Sequence, residues 1–179
     1  CSLCLFCGFL VTEKASAKKT TVKKVSSALK NGTFTVSGKG KMPESAMPKV
    51  AQKKKIKKIV IKNGVTELPE DAFRDCSKAT VITIAPTVNR IGAMAFYNTG
   101  VEKITIPKKA GNLGYGMLQN CKNLKKLTIP GNFWAREPKK AANKKNLIGS
   151  LILGNDNSNI VKKVKFSTNF NGDCQSFVG

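Results

Sequence analysis

IGAMAFYNTGVEKITIP (91–107) is followed by LGYGMLQNCKNLKKLTIP (113–130), and the two stretches keep their apolar positions while changing most other residues. The recurrence extends on both sides. Ile61, Ile84, Ile106 and Ile129 stand 23, 22 and 23 residues apart. Leu68, Ile91 and Leu113 take the same steps, as do Phe73, Phe96 and Leu118. A fixed period of this kind is the mark of stacked repeats, each too small to bury its own apolar face.

A period near 23 is too short for paired helices and suits a leucine-rich-repeat solenoid. Each block opens on a segment such as Ile104-Thr105-Ile106, whose two Ile side chains share one face of a strand. Pro86, Pro107 and Pro130 then close three of these strands, since proline cannot donate to a ladder. The expected architecture is one sheet of short parallel β-strands with irregular or short helical back segments. Ile59/Ile61, Ile82/Ile84, Ile104/Ile106, Leu127/Ile129 and Val164/Phe166 point inward. Between and beside them the outward series are Val60, Thr83, Thr105, Thr128, Lys165 and Lys58, Val81, Lys103, Lys126, Lys163.

After residue 130 the pattern pauses and resumes at LIGSLILGNDNSNIVKKVKF (147–166). The interval from Ile129 to Phe166 is 37 residues, and most of the excess is assigned to an insert, GNFWAREPKKAANKKN (131–146). Insertions in solenoids go to surface loops, often on a binding face. Phe133, Trp134 and Arg136 in this insert are candidate interface anchors, because aromatics and Arg are favoured there. The competing reading has Phe133 and Trp134 folding back to cover the coil. The repeats, 55–179, end in mid-repeat.

The 179 residues carry 29 Lys, three Arg and ten acids, for a net charge of +22. That excess points to polyanionic partners without choosing among them. The shortage of Arg argues against specific nucleic-acid reading, which uses its planar fork. There is no His, which removes the commonest general base and most zinc sites. Cys76, Cys121 and Cys174 show no CxxC spacing. Cys76 and Cys121 sit at equivalent positions two repeats apart, roughly 10 Å on the strand spacing. That is beyond disulfide reach, so both are expected as buried free thiols. No catalytic, metal, cofactor or disulfide site is assigned. Glu67, Glu70, Asp71 and Asp75 cluster in one repeat but lack a partner base, and are read as solvated convex-side residues.

CSLCLFCGFLVTEKASA (1–17) pairs a short apolar run with a small-x-small end, the pattern of a signal peptide lacking its basic start. The run is too short to span a bilayer, and its competing reading is a buried strand. Residues 18–28, beginning KKTTVKKVSS, are expected to form a flexible basic segment.

The motifs IGAMAFYNTGVEKITIP and GVTELPEDAFRDC (64–76) resemble the BspA-type leucine-rich repeats of bacterial and some protist surface proteins. LKNGTFTVSGKGKMPESAMP (29–48) is similar to the hairpin-like module that often precedes them, which implies an N-terminal cap over 29–54. Pro69 in place of Gly and Met117-Leu118 in place of Ala-Phe depart from the usual repeat. The resemblance implies a secreted or surface-attached, noncatalytic binding protein whose partner is a protein or glycan of a host or neighbouring cell. It carries over no site residues. On the strand faces, the candidate binding residues are Lys58, Lys103, Lys126, Lys163 and Lys165. The alternative function is charge-driven capture of an anionic polymer: teichoic acid, sulfated glycan or nucleic acid.

Overall fold

In a computed structural model of the chain, the described residues are 23–130 together with the short strands Trp134–Ala135 and Val164–Phe166. The sequence's own Asn-Gly dipeptide sets the first element. Strands β1 (Ser26–Lys30) and β2 (Thr33–Ser37) pair antiparallel from Lys30↔Thr33 to Ser26↔Ser37. Asn31 and Gly32 join them at φ 48° and 74°, both left-handed as a type I′ turn demands. Because this turn sets a five-pair register, residues 26–28 lie in a strand. The boundary expected at 28/29 therefore falls inside β1, while 1–22 lie outside the described residues.

From β2 onward the pairing is parallel. Sheet order is β1-β2-β4-β6-β8-β10-β12, where β4 is Lys58–Ile61, β6 Val81–Ile84, β8 Lys103–Thr105, β10 Lys126–Ile129 and β12 Val164–Phe166. Phe34 pairs with Ile59 and Ile59 with Ile82, so the cap's second strand is already the first rung of the solenoid. Leu127↔Val164 and Ile129↔Phe166 continue the column across the long interval.

The back of each coil holds a second, narrower parallel sheet. Its members are β3 (Gly40–Lys41), β5 (Val65–Leu68), β7 (Arg90–Ile91), β9 (Asn112–Leu113) and β11 (Trp134–Ala135), neighbours in that order. Helix among the described residues is confined to the first coil, as a 3₁₀ turn at Glu44–Ala46 and the single turn α1 (Val50–Lys53).

The core runs the length of the stack between the two sheets. Ile59, Ile104 and Leu127 face Leu68, Ile91 and Leu113, all buried. Phe34, Phe73 and Phe96 thread through it: Phe34 meets Phe73 edge-on at 6.1 Å, and Phe73 stacks on Phe96 at 5.6 Å with 6° between planes. Asn98 donates to Asp75 at 2.9 Å and Asn120 donates to Asn98 at 3.0 Å, tying successive coils by a polar ladder at their turns.

One step is irregular. β4 and β6 pair over four residues and β8 and β10 over three, but β6 and β8 pair only at Val81↔Lys103. Ala85 closes the β4–β6 ladder by donating to the Ile61 carbonyl at 3.1 Å. The residue that would do the same for Ile84 is Pro107, which has no N–H. The two strands part after their first pair, and the missing donor alone does not separate them, since Pro130 stands in the same place after β10 while β8 and β10 stay paired.

Candidate binding face

Strand alternation puts every second residue of the long sheet outward. Lys58, Lys103 and Lys126 are exposed and lie in one register column, with Lys126 beside Lys103 and Val81 between Lys103 and Lys58. Val81 is 47% exposed, so the column is a basic ladder broken by one apolar rung. The second outward column is neutral: Thr83 and Thr105 are exposed, Val60 and Thr128 half-buried. In the backbone register Thr128 is paired with Lys165.

Like charges on adjacent strands repel, and a nearby acid offsets part of that here. Glu102 accepts from Lys125 at 2.9 Å, one position before the ladder pair Lys103–Lys126. Lys103 and Lys126 have no such partner among the ion pairs of the described residues.

The aromatic candidate stands elsewhere. Trp134 is on β11, where it pairs with Asn112 in the narrow sheet, not on the sheet that carries the lysines. The insert's first residues thus continue the fold, and the extra length falls between Ala135 and Val164. Phe133, Arg136 and Lys163 lie outside the described residues. The structure brings Lys103 and Lys126 together, places Lys58 two rungs away, and sets Trp134 on the other sheet.

Three members of the acidic cluster, Glu67, Asp71 and Asp75, are tied up in local pairs, while Glu70 is exposed. Arg74 bonds Asp71 at 3.1 Å, approaches Asp75 at 3.8 Å and lies over the Tyr97 ring at 4.6 Å. Asp71 strengthens the guanidinium's hold on its proton. Glu67 lies between Lys41 and Arg90 at 3.7 and 3.8 Å. Among the described residues, no three of His, Cys, Asp or Glu are grouped to hold a metal, and no helix is long and apolar enough to cross a membrane.

Cys76 and Cys121 are buried free thiols, with buried Thr99 at the intervening repeat's equivalent position. The Cys121 sulfur lies 3.2 Å from the Thr99 hydroxyl and donates to the Phe96 carbonyl at 3.1 Å. Burial pushes the Cys76 thiol up to about 12 from 9.0, and raises Cys121 against the opposing Thr99 bond. Both thiols therefore keep their protons in the fold at pH values where the unfolded chain would lose them. The stability they share in is whole below pH 9.0 and is lost as pH rises toward about 12. Cys76→Ala should flatten that alkaline decline in urea titrations. Peptide mapping after alkylation of native protein at about pH 8, where an ordinary exposed thiol is partly ionised and reactive, should find Cys76 and Cys121 unmodified. Labelling there before unfolding would contradict their burial.

No curated protein matches the chain. Among solved structures, a leucine-rich repeat protein from Eubacterium ventriosum ATCC 27560 is 22% identical, over 63% of this chain and 43% of that one, with a TM-score of 0.40. A leucine rich cell surface protein from Faecalibacterium prausnitzii A2-165 is 25% identical over 45% of this chain and 21% of that one, with a TM-score of 0.42. The chain thus spans less than half the length of either protein. Residues 49–171 match the BspA type leucine rich repeat region in six copies, over more than half of the chain. With the parallel coils and the 22- to 23-residue period already described, this makes the chain a member of the BspA-type leucine-rich-repeat family.

Proposed function

We propose that this chain is a noncatalytic binding module, secreted or displayed at a cell surface, that engages a protein or glycan of a host or neighbouring cell. The observation that carries the reading is the exposed column of Lys58, Lys103 and Lys126 on a flat strand face. Family membership supports a binding role, and the 1–17 segment supports export. The insert 131–146, with its aromatic and basic residues, is proposed as a second contact region.

The overall charge of +22 favours a second reading, in which any anionic polymer is held by charge alone. Salt separates the two. Binding to an immobilised matrix protein and to a sulfated glycan is measured across a salt series, with the Lys58→Glu/Lys103→Glu/Lys126→Glu/Lys163→Glu variant alongside. The expected result is binding to one of them that survives moderate salt and falls about tenfold or more in the variant, equivalent to ~1.4 kcal/mol. If wild type and variant fade together with salt, counterion release alone drives binding and the specific-face reading fails.

A further inference from the structure

The seam between β6 and β8 does more than shorten a ladder. Where the strands part, a cleft of about 590 Å³ opens on the outward side of the long sheet. Its floor includes Ile82 and Ile84. Ile84 is only half-buried, whereas its counterparts Ile61, Ile106 and Ile129 are sealed in the core. Ile82 is 7% exposed, against 0% for Ile59 and Leu127. Pro86 and Pro107 form the far wall, and the Thr83 and Thr105 side chains stand at the mouth. Baring aliphatic surface on a sheet face opposes folding, and the flanking rungs avoid it.

We propose that this cleft is a docking site for an extended acidic segment of a partner protein. The inference rests on the binding-module reading and names its site and ligand class. Charge complementarity selects the acidic partner: Lys103 lies at one end of the cleft and Lys108 and Lys109 at the other, and no acid lines it. The apolar lining selects a peptide. Sugar rings and nucleic-acid bases are held by stacking on aromatic faces, and the cleft is lined by Ile, Pro, Thr and Lys without an aromatic ring. An extended strand instead turns alternate side chains to opposite sides, so aliphatic residues enter the floor while intervening carboxylates meet the lysines. The volume lies within the range of ordinary ligand sites and suits a short segment.

The test measures fluorescence anisotropy of a labelled (Asp-Ile)4 peptide with the full chain, against an (Asp-Gly)4 peptide of equal charge. Three variants accompany it: Thr83→Trp, which fills the mouth from an exposed strand position that tolerates aromatics, the rim reversal Lys108→Glu/Lys109→Glu, and Lys30→Glu as a charge change on β1. The expected result is tighter binding of (Asp-Ile)4, lost by about tenfold or more in Thr83→Trp and in the rim variant but not in Lys30→Glu. Equal binding of both peptides, or losses that track charge alone, overturns the cleft. So does preference for a heparin fragment that Thr83→Trp leaves unchanged. Lys103 belongs to both the ladder and the cleft, but Thr83→Trp and the rim reversal leave all four ladder lysines in place, so they separate the cleft from the matrix and glycan reading. If the four-lysine variant loses its surface ligand while Thr83→Trp and the rim reversal leave peptide binding intact, the face stands and the cleft falls.

Discussion

Gly114→Ala is expected to destabilise the solenoid by about 3 kcal/mol, the upper end of what one forced methyl costs in a packed interior. A Cβ on Gly114 would fall inside the contact radius of the Ala93 nitrogen and the Gly92 carbonyl carbon, which are backbone atoms of the coil beneath. Gly92 stands in the same relation to Pro69 and Glu70 one coil earlier. A flexible side chain could swing away, but a backbone held in a ladder can yield only by prising the two coils apart. Gly40→Ala is the informative comparison. Gly40 has φ 108° and open space around its missing Cβ, so the change there costs conformational strain alone, about 1 kcal/mol. Urea denaturation followed by circular dichroism measures both. Equal losses would mean that coil contact is not what requires the glycine.

Phe73→Ala should cost about 4 kcal/mol, in the range for deleting a buried aromatic side chain. Phe73 is wholly buried and is the middle member of the three-ring column, touching Phe34 on one side and Phe96 on the other. In a stacked array stability is a sum over neighbouring interfaces, and this ring belongs to the one that joins the hairpin coil to the rest. The damage should therefore be polarised. Hydrogen exchange should show β1 and β2 losing protection before β8 and β10. A uniform loss across the strands, or a penalty below about 1 kcal/mol, would remove Phe73 from that linking role.

The period was legible because each rung contributes one or two aliphatic residues at a nearly constant step, and stacking demands that they align. Val164↔Leu127 shows the pattern surviving even a long interval. The second sheet was not legible. Arg90–Ile91 and Asn112–Leu113 are two residues long, too short for alternation to register. The first coil was hidden for a different reason. Phe34, Met42 and Ile56 occupy the buried columns of Ile59, Leu68 and Ala79, but the steps there are uneven, at 25, 26 and 23 residues, and the IGAMAF of 91–96 is replaced by Met42-Pro43-Glu44-Ser45-Ala46-Met47.

On the candidate face, the alignment of Lys103 with Lys126 followed from the period alone, as did the gap at Val81. The cleft was not legible, and the prolines do not mark it. Pro107 follows Ile106 directly, whereas Ala85 separates Ile84 from Pro86. Ile129-Pro130 repeats the Ile106-Pro107 arrangement without parting β8 from β10, so the cleft comes from how β6 meets β8 in the stack, which the sequence does not spell out. The place of Trp134 on β11 was not legible, because its pairing with Asn112 depends on backbone register rather than side-chain chemistry.

The parallel rungs also bear on how quickly such a chain can find its shape. Every strand pair of the long sheet from β2 to β10 joins segments 22 to 25 residues apart, whichever coil is considered. Loop-closure entropy grows only with the logarithm of the loop, so each coil meets nearly the same entropic hurdle as the one before it. Topology usually slows β proteins because their partners are distant in sequence, and here that distance stops growing after the first turn. Lengthening the array lowers its relative contact order, so added coils bring more surface without a steeper search.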